Sequence, residues 1–348
     1  MTNHEIYMHR CLELAKLGAG NVAPNPMVGA LLISDDKIIG QGYHQQYGQP
    51  HAEVNCIEHV SDQDKHLIAT SILYVSLEPC AHHGKTPPCT DLILRHKIRK
   101  VVVGCIDPLS AVAGRGINKL REAGVDVLVD VMKSACEALN KRFFTFHLQQ
   151  RPYIILKWAQ SANQKIAAVE NGRVLISNEF SNRLVHKWRS EEAGILVGTN
   201  TALADNPSLN VRLWKGKNPV RLIIDLNLRV SSTLNIFDRQ QPTIIFNNIK
   251  GLEEENLVFY KLSGEGSVVR QILAACYQLN IQSVFVEGGT KLLQSFIDEN
   301  LWDEVRVIQN SQLIIPQGLQ APKLLNQQLL FTEPISTDSI SYYKNSSL

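Results

Sequence analysis

Three residues of this chain carry the donor chemistry of a metal site. His51, Cys80 and Cys89 offer one imidazole and two thiols. These ligands suit zinc, and three of them leave a fourth tetrahedral position open for water. Glu53 follows the histidine by two residues, close enough to handle protons at that water without ligating the metal. The chemistry implied is hydrolytic attack by an activated water, with a carboxylate moving the protons. A plainer reading is available, in which two buried thiols sit beside a core histidine. Glu53, the prolines Pro79, Pro87 and Pro88, and the apolar run Ile72–Leu77 favour the metal, because together they make a strand ending in a loop of ligands. His82 and His83 lie in that loop and read as residues that shape it, not as further ligands.

These groups need a frame. Residues 4–18 place Ile6, Cys11, Leu14 and Ala15 on one face, the pattern of an amphipathic opening helix. Residues 28–33 and 38–43, joined by Ser34-Asp35-Asp36-Lys37, read as a β-hairpin. A short helix from His51 through His59 would present the histidine and Glu53 at its N-terminus. The strand Ile72–Leu77 would hang the cysteine loop from its C-terminal end, where open α/β sheets carry their ligand sites. A helix from Cys89 to about Lys97, a strand over 100–106, a loop from Asp107 to Gly116, a helix through Ala123, a strand over 125–130 and one closing helix over 132–146 complete the first half. Such alternation implies an α/β/α sandwich.

The polar stretch 148–152 marks a break. Beyond it, strands are expected at 153–157, 194–198, 220–225, 243–247, 283–287 and 304–309. Val286-Glu287-Gly288-Gly289-Thr290 joins a strand directly to a helix over 291–299. Its glycines let the backbone approach a ligand, and the helix N-terminus favours a phosphate. Two domains follow, 1–147 and 152–348, since 348 residues exceed one ordinary core. With 44% apolar and 20% charged residues, the composition is that of a soluble globular protein. A net charge of +2 provides no field for nucleic acid, so any phosphate must be met by local residues. A nucleic-acid deaminase would need a basic, aromatic-interleaved groove, and a zinc-stabilised binding module would need a fourth protein ligand. No apolar run approaches the roughly 20 residues of a membrane span. The first twenty residues carry a helix pattern instead of a signal peptide. Seven scattered cysteines argue against a disulfide framework and fit a cytoplasmic protein with reduced thiols.

His-x-Glu followed by Pro-Cys and a second cysteine is similar to the zinc deaminases, which remove an amino group from a ring carbon. Eight residues separate Cys80 from Cys89, where nucleobase deaminases usually have two. With that longer loop, His51-Ala52-Glu53 and Glu78-Pro79-Cys80 through Gly84-Lys85-Thr86-Pro87-Pro88-Cys89 resemble the deaminase half of the bifunctional riboflavin-pathway deaminase–reductases. Leu156-Lys157-Trp158-Ala159-Gln160-Ser161, Val197-Gly198-Thr199, Leu203-Ala204-Asp205-Asn206-Pro207 with Arg212, and Glu287-Gly288-Gly289 look like the reductase half. The resemblance covers residues 4–325, and it implies a cytidine-deaminase-like sandwich followed by a dihydrofolate-reductase-like α/β domain that uses NADPH. It implies deamination of a phosphoribosylated diaminopyrimidine, then reduction of its ribose, by a homo-oligomer acting on a small molecule. By the same resemblance, zinc is held by His51, Cys80 and Cys89, with Glu53 as the catalytic acid–base. Asn25 and His44 meet the pyrimidine or its ribose, and Lys85 meets the phosphate. Ala159, Thr201, Asp205, Gly289, Thr290, Lys291, Leu292 and Leu293 line NADPH, while Arg189, Leu209, Arg212 and Glu287 face the second substrate. The chain departs from the family's pattern at Leu109-Ser110, Asn163-Gln164, Arg173 and Leu175.

Overall fold

Alternate residues along the central strands of the first half serve two different cores, and that alternation sets its layering. The computed structural model describes residues 2–83, 87–109, 113–168 and 174–347, and it divides after Gln150 into two compact units. In the first unit the elements are α1 (Asn3–Lys16), β1 (Gly29–Ser34), β2 (Lys37–Tyr43), α2 (Ala52–Glu58), β3 (Ile72–Leu77), α3 (Cys89–Arg95), β4 (Lys100–Cys105), α4 (Arg115–Glu122), β5 (Asp126–Leu128), α5 (Lys133–Leu139) and α6 (Lys141–Gln149). The strands form one sheet in the order β2-β1-β3-β4-β5, with β3, β4 and β5 parallel and the hairpin antiparallel at the edge. Ala30, Leu32, Leu73, Val75, Val101 and Val103 point to one face, where α2, α3 and α4 pack. Leu31, Ile33, Tyr74 and Val102 point to the other, against α1 and α5. Period-2 side chains covered by helices on both faces make the three-layer sandwich.

The opening helix starts at Asn3 because Thr2 and Glu5 form a capping box, each side chain taking the other's backbone N–H. The single closing helix expected over 132–146 is in fact two, α5 and α6, interrupted at Asn140. The Asn140 side chain accepts from Met27 N–H (2.8 Å) and donates to Met27 C=O (2.9 Å). Its backbone leaves the helical region to do so, the competition that makes Asn a poor helix-interior residue. The helix α6 then runs through Gln149, so the break is shorter than the polar stretch 148–152.

The second unit holds β6 (Tyr153–Gln160), β7 (Lys165–Ala168), α7 (Glu179–Glu191), β8 (Gly194–Gly198), α8 (Thr199–Asp205), β9 (Val220–Ile224), β10 (Thr243–Asn247), β11 (Leu252–Glu254), β12 (Leu257–Lys261), α9 (Val268–Gln278), β13 (Ser283–Val286), α10 (Thr290–Asp298), β14 (Glu304–Asn310), β15 (Gly318–Gln320), β16 (Gln327–Ile335) and β17 (Asp338–Asn345). Ten strands form its main sheet, in the order β11-β12-β10-β9-β8-β13-β6-β14-β17-β16. The central run from β10 to β14 is parallel, so β8, β13 and β6 end side by side on one edge of the sheet. Helices α9 and α10 cover one face, and α7 and α8 cover the other. The strands β12, β16 and β17 are not among the strands expected from the sequence, although β12 carries the short apolar run Leu257-Val258-Phe259-Tyr260. They lie toward the sheet margins, and Leu329, Leu330 and Phe331 of edge strand β16 are exposed.

Candidate active sites

In the first unit the N-terminus of α2 brings His51 to the end of β3. His51 is the residue that precedes the helix, and its Nδ1 lies 3.6 Å from Cys80 Sγ and 3.4 Å from Cys89 Sγ. An ion with Zn–S of about 2.3 Å and Zn–N of about 2.0–2.1 Å in tetrahedral geometry places sulfur and nitrogen about 3.6 Å apart. The donor set therefore fits zinc in both chemistry and spacing. Among the described residues, the metal-ligating group is His51, Cys80 and Cys89, and neither His82 nor His83 joins it. Cys89 N–H donates to Cys80 Sγ at 3.3 Å. The Cys80 thiol is held well below the usual thiol range, first by the hydrogen bond from the Cys89 thiol and then by His51, against the upward push of burial.

Glu53 is buried at 3% exposure and interacts with His51, Cys80 and Cys89. Burial pushes its carboxyl up to about 7, while His51 pulls it down and Cys80 pushes it up. A carboxyl that exchanges its proton near neutrality is suited to general acid–base work. Beside it, the His44 ring stands edge-on to His51, centroids 5.4 Å apart. Its Nδ1–H donates to Pro50 C=O (3.1 Å), and its Nε2 accepts from Asn25 Nδ2 (3.2 Å). With Nδ1 donating and Nε2 accepting, the ring is the neutral tautomer, and burial lowers its affinity for a second proton. Asn25 and His44 thus come together beside the metal imidazole. Lys85 lies outside the described residues, as does Ser110.

Glu78 was not singled out from the sequence. Its buried carboxylate accepts from the backbone N–H groups of Asp107 (3.2 Å), Gly114 (2.9 Å), Gly116 (2.9 Å) and Ile117 (3.3 Å). It pins the start of α4 against the strand end that carries Cys80. Asp107 is half-buried here, and its desolvation first, with help from Glu78 and Cys80, pushes its carboxyl up to about 6. The sequence signal was an acid at the end of an apolar strand, immediately before Pro-Cys.

In the second unit α8 starts directly after β8, and α10 starts after the Gly288-Gly289 turn that follows β13. A Cβ on Gly288 would sit 3.0 Å from Thr201 Cγ2 and Oγ1. Gly289 has φ +70° and would place a Cβ 3.3 Å from the same hydroxyl. The turn therefore lies flat against α8, leaving backbone N–H groups at the start of α10 for a phosphate-bearing cofactor. Thr201 and Asp205 share one face of α8, the first half-buried and the second exposed, and Ala159 is half-buried on β6. Thr290 Oγ1 donates to Gln320 C=O (3.1 Å), and Lys291 is exposed. The Leu293 side chain is turned away, buried among Phe296, Ile297 and the sheet, and Leu292 packs partly on the same core. The Leu293 side chain thus faces the sheet, which leaves only its backbone at the start of α10 for the expected cofactor contact.

Arg189 of α7 is bidentate to Glu287, through Nε (2.5 Å) and Nη2 (2.8 Å), and its Nη1 donates to Asn210 C=O (3.1 Å). Its guanidinium is committed within the protein and presents no open fork to a phosphate. Leu209 is 2% exposed in the core with Ile195, Val197 and Ile223, so its side chain does not face substrate either. Arg212 is exposed, with Nη1 on Asn210 Oδ1 (3.1 Å). The neighbour of Glu287 across the sheet is Lys157, since Val286 pairs with Leu156. Burial lowers the Lys157 ammonium, Glu287 supports its charge, and Arg189 opposes it. Arg173 lies outside the described residues.

Comparison with known proteins reports on both units. Residues 1–105 match the family model of the cytidine and deoxycytidylate deaminase zinc-binding region, and residues 152–329 match the RibD C-terminal domain. The riboflavin biosynthesis protein RibD of Aquifex aeolicus is 39% identical over 318 residues, covering 90% of this chain and 88% of that protein. That of Escherichia coli is 34% identical, covering 87% and 86%. The crystal structure of a diaminohydroxyphosphoribosylaminopyrimidine deaminase/5-amino-6-(5-phosphoribosylamino)uracil reductase from Thermotoga maritima superposes with a TM-score of 0.88 at 33% identity, covering 99% of each chain.

Proposed function

From the premise that this chain belongs to the RibD family of bifunctional riboflavin-biosynthesis enzymes, we propose which of its residues carry each activity. The first unit is a zinc-dependent deaminase, and the second is an NADPH-dependent reductase. The substrates are taken to be those named for the Thermotoga protein, a diaminohydroxyphosphoribosylaminopyrimidine and then 5-amino-6-(5-phosphoribosylamino)uracil.

His51, Cys80 and Cys89 hold the zinc, which when bound lowers the pKa of water to about 7 and so supplies the nucleophile. Glu53 takes up a proton, delivers it to the ring nitrogen, and returns one to the departing ammonia. Asn25 and the neutral His44 orient the pyrimidine and its ribose, and Lys85 meets the phosphate. In the second unit NADPH supplies the hydride. The face of Thr201 and Asp205, Ala159, and the Gly288-Gly289 turn with the start of α10 hold it against the substrate. Arg212 meets the substrate phosphate. Glu287 lies at the reacting end, oriented by Arg189 and flanked by Lys157. A homo-oligomer in the cytoplasm goes with this reading.

The observation that carries it is the fit of three donor atoms to zinc distances with a buried carboxyl beside them. One assay tests both halves: the purified protein with the diaminopyrimidine ribosyl phosphate and NADPH, followed for ammonia and for reduced product. Ammonia with no NADPH oxidation would leave a one-step deaminase whose second unit is a scaffold.

A further inference from the structure

We infer that His186 is a positioning residue of the reductase, holding Arg212 where it can meet the substrate phosphate; this rests on the reading of Arg212 given above. His186 lies on α7 one turn before Arg189 and is 4% exposed. Its Nδ1 accepts the backbone N–H of Arg212 at 3.2 Å. The adjoining contacts run along the same helix. Arg189 Nη1 holds Asn210 C=O at 3.1 Å, and Lys187 Nζ lies 5.8 Å from the centre of the Trp214 ring. Gly216 approaches Ser190 so closely that a Cβ there would stand 2.5 Å from Ser190 Cβ. Val211 N–H closes the loop onto Asn218 Oδ1 at 2.7 Å. The segment from Asn210 to Gly216 is thus laid along α7. Its bond to His186 falls on Arg212, whose exposed guanidinium is held at one edge by Asn210 Oδ1.

An exposed arginine on a loop loses rotamer and backbone entropy when it grips a phosphate. Fixing its backbone beforehand lowers that cost and leaves the guanidinium, tied at one edge to Asn210, with donors for the ligand. The fixing bond needs an unprotonated Nδ1. Burial first, then Arg189 and Arg212, lower the imidazole's affinity for a proton to a pKa of about 4, with Glu287 and the Asn210 backbone opposing. The acceptor therefore persists throughout the neutral range.

Steady-state reduction by the full-length enzyme tests this, with the deaminated substrate and NADPH varied separately. R212Q must first raise the substrate KM; if it does not, the reading of Arg212 fails whatever His186 does. H186L, which has no acceptor, should raise the substrate KM about tenfold, as expected for one lost buried hydrogen bond. Its kcat and its KM for NADPH should stay within about twofold. H186N places an amide oxygen near the position of Nδ1 and should restore the substrate KM, whereas H186Q, one methylene longer, should not. In H186L/R212Q the substrate KM should match that of R212Q alone, because both changes act through one group. The Asn and Gln variants keep the test open if the leucine variant does not fold. Equal KM values for H186N and H186Q, or additive effects in the double variant, would overturn the inference.

Discussion

Two thiolates and a neutral imidazole around a divalent ion make a formally neutral site, so each sulfur carries a large part of the affinity. C80S and C89S should therefore lose the metal, which elemental analysis of the purified proteins reads directly; full zinc in both would mean the ligands are elsewhere. Glu53 bears no metal, and E53Q should keep zinc and fold while deamination falls by about 10²-fold or more. Near-normal ammonia release would move the proton handling to another group. In the second unit, Glu287 pairs with Arg189 with only 9% of its side chain exposed. Burial alone would raise its carboxyl, but Arg189 overrides burial and, with Lys157 and His186, brings it to about 2 from its ordinary 4.5. Because the folded value is depressed, the pair stabilises the protein fully above pH 4.5, and the contribution drains away as pH falls toward 2. E287Q strands a buried guanidinium and should cost about 3–5 kcal/mol at pH 7. In urea unfolding, the gap between E287Q and the unchanged protein should narrow as pH is lowered to 3. A gap that stays constant would show that the pair is not ionised in the way its geometry requires.

Elements enter through what clamps them. Glu78 ties the strand end bearing Cys80 to the start of α4 with four backbone hydrogen bonds. E78Q keeps the shape but puts a donor amide among those donors, so the amides of Gly114, Gly116 and Ile117 should exchange faster with solvent. Unchanged exchange at these three amides would remove Glu78 from its clamping role. Across the second unit, G289A sets a side chain at φ +70° and against Thr201. NADPH binding should weaken about tenfold or more, with ammonia release unchanged, if the turn cradles the cofactor. The grouping of His51, Cys80 and Cys89 with Glu53 and the buried strands β3, β4, β8 and β13 were legible in the sequence, because ligand chemistry and continuous apolar runs are local signals. The helix break at Asn140 was not, since its cause is Met27, more than a hundred residues away. The inward turns of Leu209 and Leu293, and the commitment of Arg189 to Glu287, also depend on neighbours distant in sequence. Glu78 could be placed at a strand end before Pro-Cys, but its backbone partners lie 29 to 39 residues further along the chain.

At the scale of the whole molecule, the two units have separate cores and separate chemistry, so each should stand without the other. The helix α6 ends at Gln149, with Gln150 at φ +52° stopping it, and the next residue already belongs to the second unit. Arg151 is bidentate to Asp303, at 2.6 and 2.7 Å, and also donates to Pro152 C=O. Asp303 in turn accepts from Ile154 N–H at 2.7 Å, joining the start of β6 to the chain entering β14. Both charges of this pair are buried. The match to the RibD C-terminal domain begins at residue 152, one position after the arginine that neutralises Asp303. Where the second unit is cut therefore decides its stability. A fragment covering residues 151–348 should fold and bind NADPH with an affinity close to that of the full chain. A fragment covering 153–348 leaves Asp303 buried without its partner and should be less stable by about 3–5 kcal/mol. Circular dichroism melts of the two fragments, together with fluorescence titration by NADPH, distinguish the outcomes. Equal melting of both would show that the Arg151–Asp303 pair is dispensable. A well-folded 151–348 fragment that does not bind NADPH would mean that the cofactor site draws on the first unit.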